Sequence, residues 1–195
     1  MIDKELYLKI SKSYGEFASW AIWAKVGVKP KSNIGNTTIF DLESNPDLLN
    51  ELNPNIIMVG LNFSRIGRKE CFANFHDSRP QGQDYKIRYA FEDTKFYGAY
   101  MTDIIKDFEE KVSGKVMSYL RNNEEFEQQN IKLFKEELIS LNTKNPLIIA
   151  FGNDVYKILQ KHFVGQYQII KIPHYSKHIS KEDYRAEVEK LLSAY

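Results

Sequence analysis

Apolar positions recur along the chain with two different periods, and the switch between them orders the predicted elements. Leu6, Ile10, Phe17, Trp20, Ala21 and Ala24 fall close to the 3.6-residue spacing of an amphipathic helix. A first helix is therefore expected to run up to the region of Gly27 and Pro30. After a Pro/Gly/Asn-rich connection at residues 29–36, a short helix is expected over residues 41–52, ending before Asn53-Pro54. The pattern then changes to Ile56-Ile57-Met58-Val59-Gly60-Leu61, a continuous apolar run rich in β-branched residues, as in a strand buried on both faces. Runs at residues 99–105, 147–152 and 168–173 share that character. Helical stripes separate and succeed them: Ile131, Phe134, Leu138 and Leu141; Val155, Ile158, Leu159 and Phe163; then Tyr184, Val188, Leu191 and Leu192 behind the start signal Ser180-x-x-Asp183. Alternating strands and helices predict an α/β fold with three layers, α/β/α, around a central, mostly parallel four-stranded sheet.

Length and composition keep the chain within ordinary globular proteins. At 195 residues it is expected to be a single domain, with an N-terminal helical part at residues 1–54 and a core at residues 55–192. The lone Cys71 excludes an internal disulfide and a thiolate zinc site, which points to a reducing compartment. No apolar run reaches the roughly 18 residues of a membrane helix, and Met1-Ile2-Asp3-Lys4-Glu5 is too charged for a signal peptide, so a soluble cytoplasmic protein is expected. The net charge of +1 argues against wholesale polyanion binding, but its distribution is uneven. Residues 64–90 carry six basic against three acidic groups, whereas residues 107–137 carry eight acidic against five basic.

In open α/β sheets ligands bind beyond the carboxyl ends of the strands, which turns attention to the polar residues at the end of each run. The first ends in Gly60-Leu61-Asn62-Phe63-Ser64, the second holds Asp103, the third ends in Gly152-Asn153-Asp154, and the fourth in Pro173-His174-Tyr175-Ser176-Lys177-His178. Asn153 by itself reads first as an ordinary helix N-cap and only second as a ligand contact. The pair His174/His178 lacks the Asp, Glu or Cys partners of a metal site, so neither metal nor cofactor is expected. Phosphate-loop, dinucleotide and serine-hydrolase elbow motifs are absent.

Taken in order, four of these segments resemble the uracil-DNA glycosylase superfamily, in its mismatch-specific and single-strand-selective branches. Val59-Gly60-Leu61-Asn62-Phe63-Ser64 is similar to the family's first motif, G-[IM]-N-P-G. Tyr100-Met101-Thr102-Asp103-Ile104-Ile105-Lys106 is similar to its Y-x-T-N-x-x-K strand, Ile149-Ala150-Phe151-Gly152-Asn153 to its L-x-x-x-G-x strand, and Pro173-His174-Tyr175-Ser176 to its H-P-S loop. The likeness spans residues 55–192.

That resemblance implies a DNA glycosylase-like hydrolase acting on a damaged or deaminated base flipped into a pocket; a monomer is favoured, with the oligomeric state left open. Asn62 would orient the attacking water, and His174 would stabilise the departing base. Gly60, Leu61, Phe63, Asp103 and Asn153 would border the base, with Phe72 or Phe75 stacked on it unless these two are core residues. Ser64, Arg65, Arg68, Ser176, Lys177 and His178 would contact phosphates of the DNA. The chain also departs from the family pattern: Phe63, Ser64 and Tyr175 replace proline, glycine and proline, and Asp103 stands where relatives have asparagine. An ionised carboxylate only accepts hydrogen bonds. Asp103 thus implies a base presenting two donors, as xanthine can, or protonation to serve uracil. Two other readings fit the same residues: a non-catalytic member of the fold that binds nucleic acid, a nucleotide or a protein, and an unrelated α/β enzyme on a small polar substrate.

Overall fold

The computed structural model describes residues 2–63, 70–106 and 108–195. All four expected strands form: β2 (Asn53–Asn62), β3 (Ala99–Ile105), β4 (Leu147–Phe151) and β5 (Gln168–Ile172) are mutually parallel. A fifth, β1 (Ser19–Trp20), joins the edge antiparallel to β3, giving the order β1-β3-β2-β4-β5.

The extra strand corrects the reading of residues 6–24 as one helix. Helix α1 (Lys4–Tyr14) is capped by Asp3, whose carboxylate accepts from Leu6 N at 2.8 Å, and it stops at Tyr14. Phe17 N and Ala18 N both turn back to the Tyr14 carbonyl. Trp20 then pairs with Tyr100 across the sheet edge, with ring centroids 4.9 Å apart. This buried cross-strand aromatic pair outweighs the helical spacing, which arose because the apolar residues of a helix, a turn and a strand happened to fall in step. The expected helix at residues 41–52 shrinks to a four-residue α2 (Leu48–Glu51), preceded by a single 3-10 turn at Thr38–Phe40. Two helices that the periodicity did not single out also form, α3 (Tyr85–Phe91) and α4 (Ser113–Asn122).

Because successive strand residues face opposite sides, the sheet builds two cores. Ile57, Val59, Tyr100, Ile104 and Ile148 pack with α1, α4, α5 (Glu124–Ser140) and α6 (Asn153–Phe163). Met58, Met101, Ile149 and Phe151 pack with α3 and α7 (Lys181–Leu192) on the other face. The result is three layers. Among the described residues, no helix is long and apolar enough to cross a membrane.

The topology also places a crevice. From β2 the chain moves outward to β3, then returns past β2 to β4 and continues to β5. The loops after β2 and β4 therefore diverge to opposite faces, leaving a gap between the carboxyl ends of those strands.

Candidate active site

A cleft of about 350 Å³ occupies that gap, a volume within the range of small-molecule sites. Gly60, Leu61, Asn62, Asp103, Asn153, His174 and Ser176, seven of the residues singled out in the sequence, line it. Register explains the convergence: Gly60 lies beside Asp103 in the β2–β3 pairing, and Phe151 lies beside Ile172, two residues before His174.

Asn62 ends β2 with its amide fixed. Nδ2 donates to the carbonyls of Phe108 at 2.9 Å and Glu110 at 2.7 Å. Both N–H groups are consumed by oxygens that only accept, so the amide orientation is unambiguous. Oδ1 is left without a partner among the described residues, as an acceptor on the cleft wall.

His174 is fixed by the opposite logic. Its Nδ1 lies 3.1 Å from the Ser176 backbone nitrogen, which only donates, and 2.8 Å from Ser176 Oγ. Nδ1 is therefore the acceptor, and the neutral ring carries its proton on Nε2. Burial lowers its pKa to about 4, and the ring stacks on Tyr175 at 4.3 Å. At neutral pH the histidine is an uncharged donor.

Asp103 is the third polar group, only 4% exposed. Its Oδ2 accepts from Asn74 Nδ2 at 2.8 Å. Its Oδ1 crosses over Gly60, where a Cβ would lie 2.1 Å from that oxygen, so any residue larger than glycine would displace the carboxylate. Burial raises the Asp103 pKa to about 6; the Asn74 hydrogen bond and the Lys106 charge oppose the rise, while Glu137 and Asp84 add to it.

Asn74 was not singled out in the sequence, yet it organises this corner. Nδ2 also donates to the Phe17 carbonyl at 2.7 Å, and Oδ1 accepts from Phe75 N at 3.0 Å. Phe75 itself is held at φ 61°, a strained conformation for a bulky residue. Its ring lies behind the cleft floor, 3.2 Å from the position of a Gly60 Cβ and against Phe151 and Tyr175. Phe72 is elsewhere: it is fully buried in the opposite core, against Tyr7, Trp20 and Phe40. Phe63 is also turned inward and packs on Phe17 at 5.7 Å.

The N-cap of α6 is Gly152 rather than Asn153, with φ 93° and no side-chain cap. Asn153 instead accepts from Lys171 Nζ at 2.9 Å. The loop Glu110, Lys111 and Ser113, also unforeseen, forms another wall.

Of the residues expected to face phosphates, two have partners within the protein, and so do three other basic residues of the 64–90 stretch. Lys177 pairs with Glu187 at 2.6 Å, and Ser176 with His174, while His178 is exposed outside the cleft lining. Arg79 pairs with Asp77; Lys86 holds the carbonyls of Lys177 and Ile179; Arg88 holds those of Ala24, Pro30 and Ser32. Ser64, Arg65 and Arg68 lie outside the described residues. Cys71 meets Ser11 Oγ at 3.0 Å, and burial raises its thiol pKa, the reverse of what an activated nucleophile requires. Among the described residues no group of His, Cys, Asp and Glu is arranged to hold a metal ion.

Comparison of the chain with family models, with curated proteins and with solved structures finds no match in any of the three.

Proposed function

We propose that the cleft is the base-binding site of an N-glycosylase-type hydrolase acting on a flipped nucleobase. The observation that carries the reading is the complementary fixing of Asn62 and His174 on one cleft: one offers an oriented acceptor, the other an oriented neutral donor. Hydrolysis of an N-glycosidic bond needs both. A water held by Asn62 Oδ1 adds its oxygen to the sugar carbon as the carbon–nitrogen bond breaks. The bonding pair leaves with the base, where the Nε2–H of His174 stabilises the charge developing on a carbonyl oxygen or ring nitrogen. The water's surplus proton ends on the departed base. Neither side chain acts as a strong base; positioning and electrostatic stabilisation supply the rate. The described part of the cleft carries carboxylates on Asp103, Glu110 and Asp154 against the one ammonium of Lys111. That balance suits an uncharged heterocycle better than a phosphate.

The internal use of Arg79, Lys86 and Arg88 favours a second reading, in which the same cleft takes a free nucleoside or base rather than a base in a polymer. One set of assays tests both. Oligonucleotides carrying uracil, hypoxanthine, xanthine, cytosine, adenine or mismatched thymine are incubated with the protein, and abasic sites are cleaved with alkali. The matching free nucleosides are assayed for base release in parallel. The hydrolase reading expects a product that falls by roughly 100-fold in Asn62→Ala and in His174→Ala. Full activity in both variants, or no released base from any substrate, would sink it.

A further inference from the structure

Asp103 presents the cleft with one oxygen, not two. Its Oδ2 is occupied by Asn74, and the Asn74 amide cannot flip, because its Oδ1 is claimed by the Phe75 N–H and its Nδ2 by the Phe17 carbonyl. The remaining oxygen, Oδ1, passes over Gly60 on the cleft floor. It has no hydrogen-bond partner among the described residues, although the carboxylate is 4% exposed. An acceptor left open on a cleft floor is placed to meet a ligand donor.

From this geometry, and resting on the base-binding reading above, we infer that Asp103 and Asn74 set the hydrogen-bond polarity of the cleft floor, so that at neutral pH it selects a base edge carrying an amino N–H donor over the same edge carrying a carbonyl oxygen. A carbonyl edge held in the same pose would set oxygen against oxygen at Oδ1. This narrows the expectation drawn from the sequence: the floor reads a single donor, not two.

The same arrangement dictates how the preference responds to acid. Because Asn74 keeps Oδ2 as an acceptor, a proton taken up by Asp103 must sit on Oδ1, which turns the floor from acceptor to donor. The groups that bear on this titration are Asn74 and Asp84 in the segment before α3, Lys106 after β3, and Glu137 on α5. Glu110, Lys111, Asp154 and His174 face the same cleft from the other walls. Since burial outweighs the Asn74 and Lys106 contributions and moves the Asp103 pKa to about 6, the change falls inside the range in which the assay is practical.

Substitution gives a sharper handle than pH. In Asp103→Asn the Asn74 Nδ2–H must still meet an oxygen, so the new amide turns its NH2 to the cleft and becomes a permanent donor. The discriminating probes are cytosine against uracil and adenine against hypoxanthine, with 3-methyluracil and 1-methylhypoxanthine beside them, because the carbonyl members also turn the neighbouring ring nitrogen from an acceptor into an N–H donor open to Oδ1, and the methyl group removes it. Dissociation constants for the free bases are measured by NMR titration at pH 8 and pH 5, with base release from single-strand oligonucleotides measured in parallel. The wild-type protein is expected to bind the amino member about tenfold or more tightly at pH 8, in line with a hydrogen bond to a charged acceptor, and to lose most of that preference at pH 5. Asp103→Asn is expected to favour the carbonyl member at both pH values. Should that variant fail to fold, the wild-type pH series still decides.

Equal affinity for both members at pH 8, or a carbonyl preference in the wild type, overturns the inference even if bases are released. An amino preference without base release supports the inference and removes the hydrolase reading. No binding of any base and no release overturn both.

Discussion

Two carboxylates are buried against β3, one on each face of the sheet, and their surroundings differ. Glu137 of α5 is fully buried, and three partners meet it: Tyr100 Oη at 2.7 Å and Thr102 Oγ1 at 2.9 Å on Oε1, and Lys106 Nζ at 2.7 Å from Oε2. Asp103, one residue beyond Thr102 and so on the opposite face, has Asn74 alone and an open oxygen above Gly60. Burial of a charge is costly unless partners compensate it. Glu137 is compensated from within, as expected of a group that fixes a helix to the sheet. Asp103 is not, and that imbalance separates a carboxylate left open on the cleft from one that holds the fold.

The largest effect is expected from breaking the compensated side. Glu137→Ala leaves the Lys106 ammonium, 7% exposed, without its counter-charge, and urea denaturation should show a loss of about 3–5 kcal/mol. A loss below about 1 kcal/mol would mean that the Glu137 network is not the anchor described.

The uncompensated side should respond with the opposite sign. The folded pKa of Asp103, about 6, lies above its ordinary value of 3.8. Its favourable contribution is therefore fully present below about pH 4 and is lost as pH rises through 6. Asp103→Asn removes that loss, so the variant should gain on the order of 2–3 kcal/mol over the wild type at pH 8, with the gain fading below pH 4. Thermal melts across pH 4 to 8 would show it, and a variant less stable than the wild type at pH 8 would place Asp103 among the structural carboxylates.

A smaller change sharpens the contrast. Thr102→Val keeps the side-chain shape but removes one of the donors to Glu137, and the loss of stability should be about 1 kcal/mol. Because Thr102 faces away from the cleft, base binding should be unaffected in the same protein.

The residues that define this comparison were unevenly visible beforehand. The inner strands were legible because a strand buried on both faces must be apolar, and β2, β3 and β4 are mostly so, while the edge strand β5 still carries three isoleucines although Gln168 and Lys171 are exposed. Their carboxyl ends were legible too, since the sheet rule depends on order alone. Asn62, Asp103 and His174 were found by that rule and line one cleft. The resemblance added Tyr100, Thr102 and Lys106 as a motif, and these residues converge on Glu137.

Other features had no local signature. The two residues of β1 form a strand only because the edge of β3 offers them a partner. Asn74 meets Asp103 across 29 positions, and Tyr100 meets Glu137 across 37. Phe72 and Phe75, three residues apart and both at positive φ, go to opposite cores. Residues 64–90 carry a basic surplus, yet Lys86 and Arg88 spend their share of it on backbone carbonyls. The sequence by itself determined the four parallel strands, their order along the chain and the polar groups at their ends, because periodicity and burial are local constraints. Only the tertiary structure decided which of those groups are satisfied and which are left open, because a side chain's free hydrogen-bonding capacity depends on neighbours that no spacing along the chain specifies.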